Sequence, residues 1–255
     1  MLRDPARGHD TPPSSRGGSM VCTALALLVA IIPAEVAGGV TPAESIAEIL
    51  RQFTGSAEYA ESSALELDVP DRATRGESVP LTLRAPVRGV RAAWLFVEGA
   101  DDPLALHLTL SDAVAPEFRT AVRVCRTGRI VAVVETDRGL IGTDRLVYLG
   151  ARARCSHSAT AAATSKPLKM AVKLRRKGDR VRLRTRIDPP PAPGTRLLSF
   201  SLHHGQTTIF EAQAGASLTS TAPLELAFTA PPGAYLHLRW TDDRQGSGEH
   251  SLHLR

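Results

Sequence analysis

The sequence predicts an all-β protein of two immunoglobulin-like antiparallel β-sandwiches, the first carrying a short N-terminal helix. Three observations lead there. Segments with an apolar residue at every second position recur from residue 65 to residue 254, with turn signals about every 8–12 residues. The alternation stops between Gly150 and Pro167 and then resumes. Charge divides at the same place. Residues 40–150 hold 12 basic and 16 acidic side chains, net −4; residues 151–255 hold 16 and 7, net +9. The expected order is an export signal (1–39), a first sandwich (40–150), a linker (151–166) and a second sandwich (167–255).

The N-terminus comes first. Residues 1–19 are polar and include Arg3, Arg7 and Arg16; an apolar run from Met20 to Ile32 follows, then the small residues Ala37, Gly38 and Gly39. Charged start, short apolar core and small-residue exit are the three parts of a secretory signal. The core is too short for a bilayer span, which needs about 20 residues. Cleavage is expected near Gly38 or Gly39, and no membrane contact is expected afterwards. Of three cysteines, Cys125 and Cys155 then remain. Three are too few for a disulfide scaffold or a structural zinc site.

Thr41-Pro42-Ala43-Glu44 is a helix start: Thr41 caps, Pro42 suits the first turn and Glu44 reaches back to the cap amide. Ile46, Ile49, Leu50 and Phe53 form one apolar stripe, and Gly55 is the expected stop. The stripe is expected to lie on the first sheet. Strands follow at Leu65–Val69, Val79–Leu83, Ala92–Val97, Leu104–Leu110 and Phe118–Val124. Ile130–Val134 is apolar throughout, as for a strand buried on both faces, and Val147 and Leu149 close the set. After the small and polar linker, Leu168–Leu174 and Val181–Ile187 alternate around a turn at Lys177-Gly178-Asp179. Further strands fit Leu198–Leu202, Thr207–Glu211, Leu224–Phe228, Leu236–Trp240 and Leu252–Leu254.

With its segments in this order, the chain resembles the SoxY and SoxZ subunits of the periplasmic sulfur-oxidation carrier, fused head to tail. The SoxY-like part reads AESIAEIL, LELDVPDRATRGESVPLTL and RTAVRVCRTGRIVAVVETDRG; the SoxZ-like part reads KPLKMAVKLRRKGDRVRLRTRI and LHLRWTDD. Fused carriers of this type are associated with quinoprotein dehydrogenases. The resemblance implies a periplasmic, non-enzymatic carrier without a cofactor, visited by a c-type cytochrome, a sulfur hydrolase and a sulfane dehydrogenase. In SoxY a Gly-Gly-Cys-Gly-Gly arm carries the sulfur substrate on its cysteine. Here the matching place reads Ala153-Arg154-Cys155-Ser156-His157: the cysteine is kept and the glycines are replaced. The alternative role is a non-covalent accessory protein of a periplasmic quinoprotein dehydrogenase.

Cys155 is the main chemical candidate. A carrier thiol must be exposed and partly thiolate, and Arg152 and Arg154 lower a neighbouring thiol's pKa and attract sulfur oxyanions. Two other readings stay open: a disulfide to Cys125, and an inert linker cysteine. The strongest electrostatic feature is Arg180, Arg182, Arg184 and Arg186, four cations on one face of one strand, joined by Lys169, Lys173 and Arg175 on the preceding strand. This face is either plain solvated surface or a dock for acidic protein, including the first module. Nucleic acid is not expected, because the chain is exported and its Trp94 and Trp240 sit in core-like alternation. If Trp240 pairs with His250, His237 faces His253, but nothing at fitting spacing completes a metal site. There is no phosphate-binding loop and no His-Glu-x-x-His segment.

Overall fold

The computed structural model describes residues 42–74, 77–150, 168–187, 196–219 and 224–255, with backbone only for 42–45. Helix α1 (Pro42–Thr54) is followed by β1 (Ala60–Glu61), β2 (Glu66–Asp68), β3 (Arg72–Thr74), β4 (Ser78–Arg84), β5 (Ala92–Val97), β6 (Leu104–Leu110), β7 (Val114–Arg123), β8 (Gly128–Thr136) and β9 (Gly139–Gly150). After the linker come β10 (Met170–Lys177), β11 (Arg180–Ile187), β12 (Leu197–His204), β13 (Thr207–Ala214), β14 (Leu224–Thr229), β15 (Tyr235–Asp242) and β16 (Ser247–His253). The all-β expectation holds, and α1 is the only helix among the described residues.

Two sheets face each other across one core. The first runs β1-β9-β8-β5-β6-β13-β12-β15-β16, with β3 also paired to β9; the second runs β10-β11-β14-β7-β4-β2. Each sheet therefore passes from the first module into the second. Phe210 to Ala214 of β13 pair with Leu110 to Leu106 of β6. Glu225 and Leu226 of β14 pair with Arg119 and Phe118 of β7. The modules join through main-chain ladders at this seam, not through charge: the Arg face of β11 points outward. Residues 40–255 accordingly form one compact unit. Val79, Leu95, Leu108, Val122, Leu183, Leu202, Phe210 and Leu236 all belong to one apolar cluster.

The seam needs a glycine. A Cβ at Gly215 would sit 1.6 Å from the Leu104 carbonyl oxygen. The Gly215 amide donates to Ala105 O at 2.9 Å. Asp102 accepts from the Ala216 amide through its carboxylate at 3.1 Å and from the Ser217 hydroxyl through its carbonyl at 3.1 Å.

Helix α1 covers the outer face of the first sheet, as expected from its stripe. Ile46 and Leu50 pack on Trp94, Phe96, Val131 and Val133. This is why β5 and the Ile130–Val134 run are buried on both faces. Gly55 stops the helix at φ 74°, its amide bonded to Arg51 O at 2.8 Å. Thr41 lies outside the described residues.

At the helix edge, His107 stacks on Trp94 with ring centroids 5.0 Å apart and meets Phe53 at 4.6 Å. Burial pushes the His107 pKa below its usual 6.5, against the opposing effect of a hydrogen bond to Gln213. The unfolded chain thus takes the proton more readily than the folded one. Stability from neutral His107 is full above pH 6.5 and is lost as pH falls below it. The Tm of the wild type is expected to drop on acidification through this range more than that of His107→Gln. Parallel Tm curves in the two proteins would disprove this assignment.

Candidate functional site

Cys155, Arg152 and Arg154 lie outside the described residues. The structure does define where the chain leaves for that segment, and what stands beside the exit. Strand β9 ends at Gly150, held on two sides. On one side β3 pairs in parallel with it: Arg72 with Tyr148, Ala73 with Leu149, Thr74 with Gly150. The Tyr148 amide also donates to Asp71 O at 2.9 Å. On the other side the Leu149 amide donates to the Thr127 hydroxyl at 3.1 Å.

Thr127 belongs to the turn between β7 and β8, which also carries Cys125. The exit from β9 is thus fixed beside the Cys125 turn. Cys125 is half-buried and disulfide-bonded. The only other cysteines are Cys22 and Cys155, both outside the described residues. Cys155 follows Gly150 by five residues, a reach of about 17 Å in extended chain. Arg126 is exposed and lies across Gly99, where a Cβ would come within 2.8 Å of its Cδ. Arg72, Thr74, Glu77, Tyr148 and Gly150 line an open groove of about 620 Å³ at the exit. Tyr148 is 55% exposed there. The sequence reading missed this groove, because β3 is three residues long and shows no apolar alternation.

Arg180, Arg182, Arg184 and Arg186 are exposed on β11, alternating with buried Val181, Leu183, Thr185 and Ile187. Lys173 stands opposite Arg184, and Arg175 opposite Arg182. Lys169 is exposed just before β10. The ladder is therefore as read from the sequence.

The last hairpin differs from expectation. Trp240 pairs with Gly248, His237 with Ser251 and His253 with Tyr235. A Cβ at position 248 would lie 2.2 Å from the Trp240 ring, so the indole takes the place opposite a glycine. His253 stacks on Tyr235 at 4.5 Å instead of facing His237. Among the described residues no group of three side chains is placed to hold a metal ion. Asp242, read as a turn residue, does more. It is 3% exposed. Its carboxylate accepts from the Arg244 and Gly246 amides at 2.9 and 2.7 Å and from the Leu168 amide at 3.4 Å. Leu168 O in turn accepts from Trp240 Nε1 at 3.2 Å. Leu168 is the first described residue after the linker, so its far end is anchored as well.

The chain is similar to known proteins in part. The model of the SoxY family, described as sulfur oxidation protein SoxY, matches residues 50–149, within the first module. Among solved structures, the sulfur carrier protein SoxY from Chlorobium limicola f thiosulfatophilum is similar at 23% identity and TM-score 0.40. That match covers 43% of this chain and 99% of that one. The superoxide reductase (neelaredoxin) of Ignicoccus hospitalis is similar at 10% identity and TM-score 0.32, over 34% of this chain and 80% of that one. A marsupial T cell receptor is similar at 12% identity and TM-score 0.28, over 75% and 64%. No curated protein matches the chain. No described helix is long and apolar enough to cross a membrane.

Proposed function

We propose that this protein is an exported, periplasmic carrier in sulfur oxidation that holds its cargo covalently on Cys155. The observation that carries the reading is the match to the SoxY family. It ends at residue 149, in the clamp from which the cysteine segment departs. In this reading residues 167–255 act as a fused SoxZ-type partner, consistent with two sheets shared strand for strand. The role is that of a carrier, not an enzyme. Its partners are the redox enzymes that load and unload the arm.

The Cys125 disulfide refines the chemistry. In this reading Cys22 leaves with the export signal, Cys155 is the partner of Cys125, and the carrier rests as a Cys125–Cys155 disulfide. A nucleophilic sulfur anion such as sulfite then attacks the Cys155 sulfur. A new S–S bond forms, the old one breaks, and the electron pair leaves on Cys125 as thiolate. No oxidant is consumed.

Native protein incubated anaerobically with sulfite is expected to gain one adduct on Cys155 and release one thiol on Cys125, read by peptide mass mapping. Absence of a Cys155 adduct after this incubation would sink the carrier reading. The engaged Cys125 also favours a second reading, a non-covalent accessory of a quinoprotein dehydrogenase. Full pathway activity of Cys155→Ser in cells would select it.

A further inference from the structure

Strands β10 and β11 carry seven cations on one exposed face: Lys173, Arg175 and Lys177 on β10, and Arg180, Arg182, Arg184 and Arg186 on β11. Their register opposes like charges directly: Lys173 to Arg184, Arg175 to Arg182 and Lys177 to Arg180. Directly opposed like charges destabilise a sheet. Elsewhere in the molecule several exposed arginines stand beside acids: Arg91 by Asp137 at 2.6 Å, Arg129 by Asp144 at 3.5 Å, Arg196 by Asp243 at 3.3 Å and Arg239 by Glu249 at 3.5 Å.

Among the described residues, Glu225 of the neighbouring β14 is the acid that stands within the ladder, opposite Arg184. It meets Arg182 at 3.4 Å. The next acid across the sheet, Glu117, is engaged by Arg84 at 3.6 Å and Arg119 at 3.8 Å. Strand β10 is the edge of its sheet, so the face continues to an open border.

We infer that this face docks an acidic protein surface. Carboxylates supplied by a partner would convert three opposed cation pairs into bridged ones, so the arrangement that costs the free protein stability favours the complex. The face has no aromatic or large apolar side chain among its outward residues. That removes the stacking used for single-stranded nucleic acid and the apolar anchor used at a lipid interface. What remains is charge read by charge, with a steep salt dependence.

The test uses the full-length exported protein, a polyglutamate peptide as probe, and vesicles of anionic phosphatidylglycerol as the competing surface. Lys173→Glu/Arg175→Glu is chosen because both residues lie on the edge strand, and their reversal puts acids opposite Arg184 and Arg182 without removing the Arg182–Glu225 pair. The wild type is expected to bind polyglutamate at low salt and to release it as salt rises. The variant should bind at least tenfold more weakly and melt a degree or two higher. Lys173→Gln/Arg175→Gln should fall between them in both readouts. Equal polyglutamate affinity in wild type and the reversed variant would overturn the inference. Binding of the wild type to vesicles but not to polyglutamate would also overturn it, and would assign the face to lipid.

Discussion

Cys125→Ser is expected to turn a protein with no titratable thiol into one with a single reactive thiol, at Cys155. In the wild type Cys125 is disulfide-bonded, and the proposed partner is Cys155. Removing it leaves Cys155 without its mate, so purified Cys125→Ser should carry heterogeneous mass additions that a thiol reductant strips. Cys155→Ser should show none of these, only a lone thiol at half-buried Cys125. The change also has a cost. The cross-link closes a loop of about 30 residues, for which chain-entropy arguments give about 3.6 kcal/mol. For a chain of this size that is a Tm loss of roughly 7–14 °C. Cys125→Ser and Cys155→Ser should lose the same amount, since either opens the same loop. A wild type that already reacts fully with a thiol reagent while folded would contradict the pairing.

The second large effect concerns the seam. Gly215→Ala is expected to destabilise the whole chain by about 3–5 kcal/mol, at the upper end for single substitutions. The added Cβ would lie 1.6 Å from Leu104 O and 2.6 Å from its carbonyl carbon. Both atoms are backbone in the strand that crosses the seam, so no side chain can swing away. Relief must pull β13 from β6 and strip the Asp102 hydrogen bonds to Ala216 and Ser217. Gly205→Ala is the matched control. Gly205 has positive φ, at 58°, and a Cβ there meets nothing within 4 Å. It should lose only the conformational penalty, about 1 kcal/mol. Thermal melts of the two variants decide it, and equal losses would mean that the contact at Gly215 is not tight.

Most strands were legible because each buries one face, and burial writes period two into the sequence. The Arg ladder is the plainest case, with Val181, Leu183 and Ile187 inward and arginines outward. Strands β1 and β3 were invisible for the same reason. They are two and three residues long, pair only with β9, and bury no large apolar side chain. The shared sheets were also out of reach. Alternation says which face is inward, not which edge meets which, and the opposite net charges of the halves pointed to a docking mode that the main chain does not use. In the last hairpin, a two-residue slip keeps every side chain on its proper face. Only the fit of Trp240 over Gly248 fixes the pairing. Cys155, outside the described residues, was picked out from its sequence neighbours alone. The Thr127–Leu149 bond and Asp242's hold on Leu168 were not, since they join residues 22 and 74 positions apart.

The shared sheets also bear on how this chain must be made. Were the halves separated, β6 and β7 on one side and β13 and β14 on the other would each present a bare row of amides and carbonyls. Such edges template pairing with any other extended chain. The first half emerges from synthesis with two of them open, and they stay open until strands from beyond residue 207 arrive. Synthesis and folding must therefore be timed so that the second half follows quickly. A truncated product is expected to aggregate instead of persisting as a stable fragment.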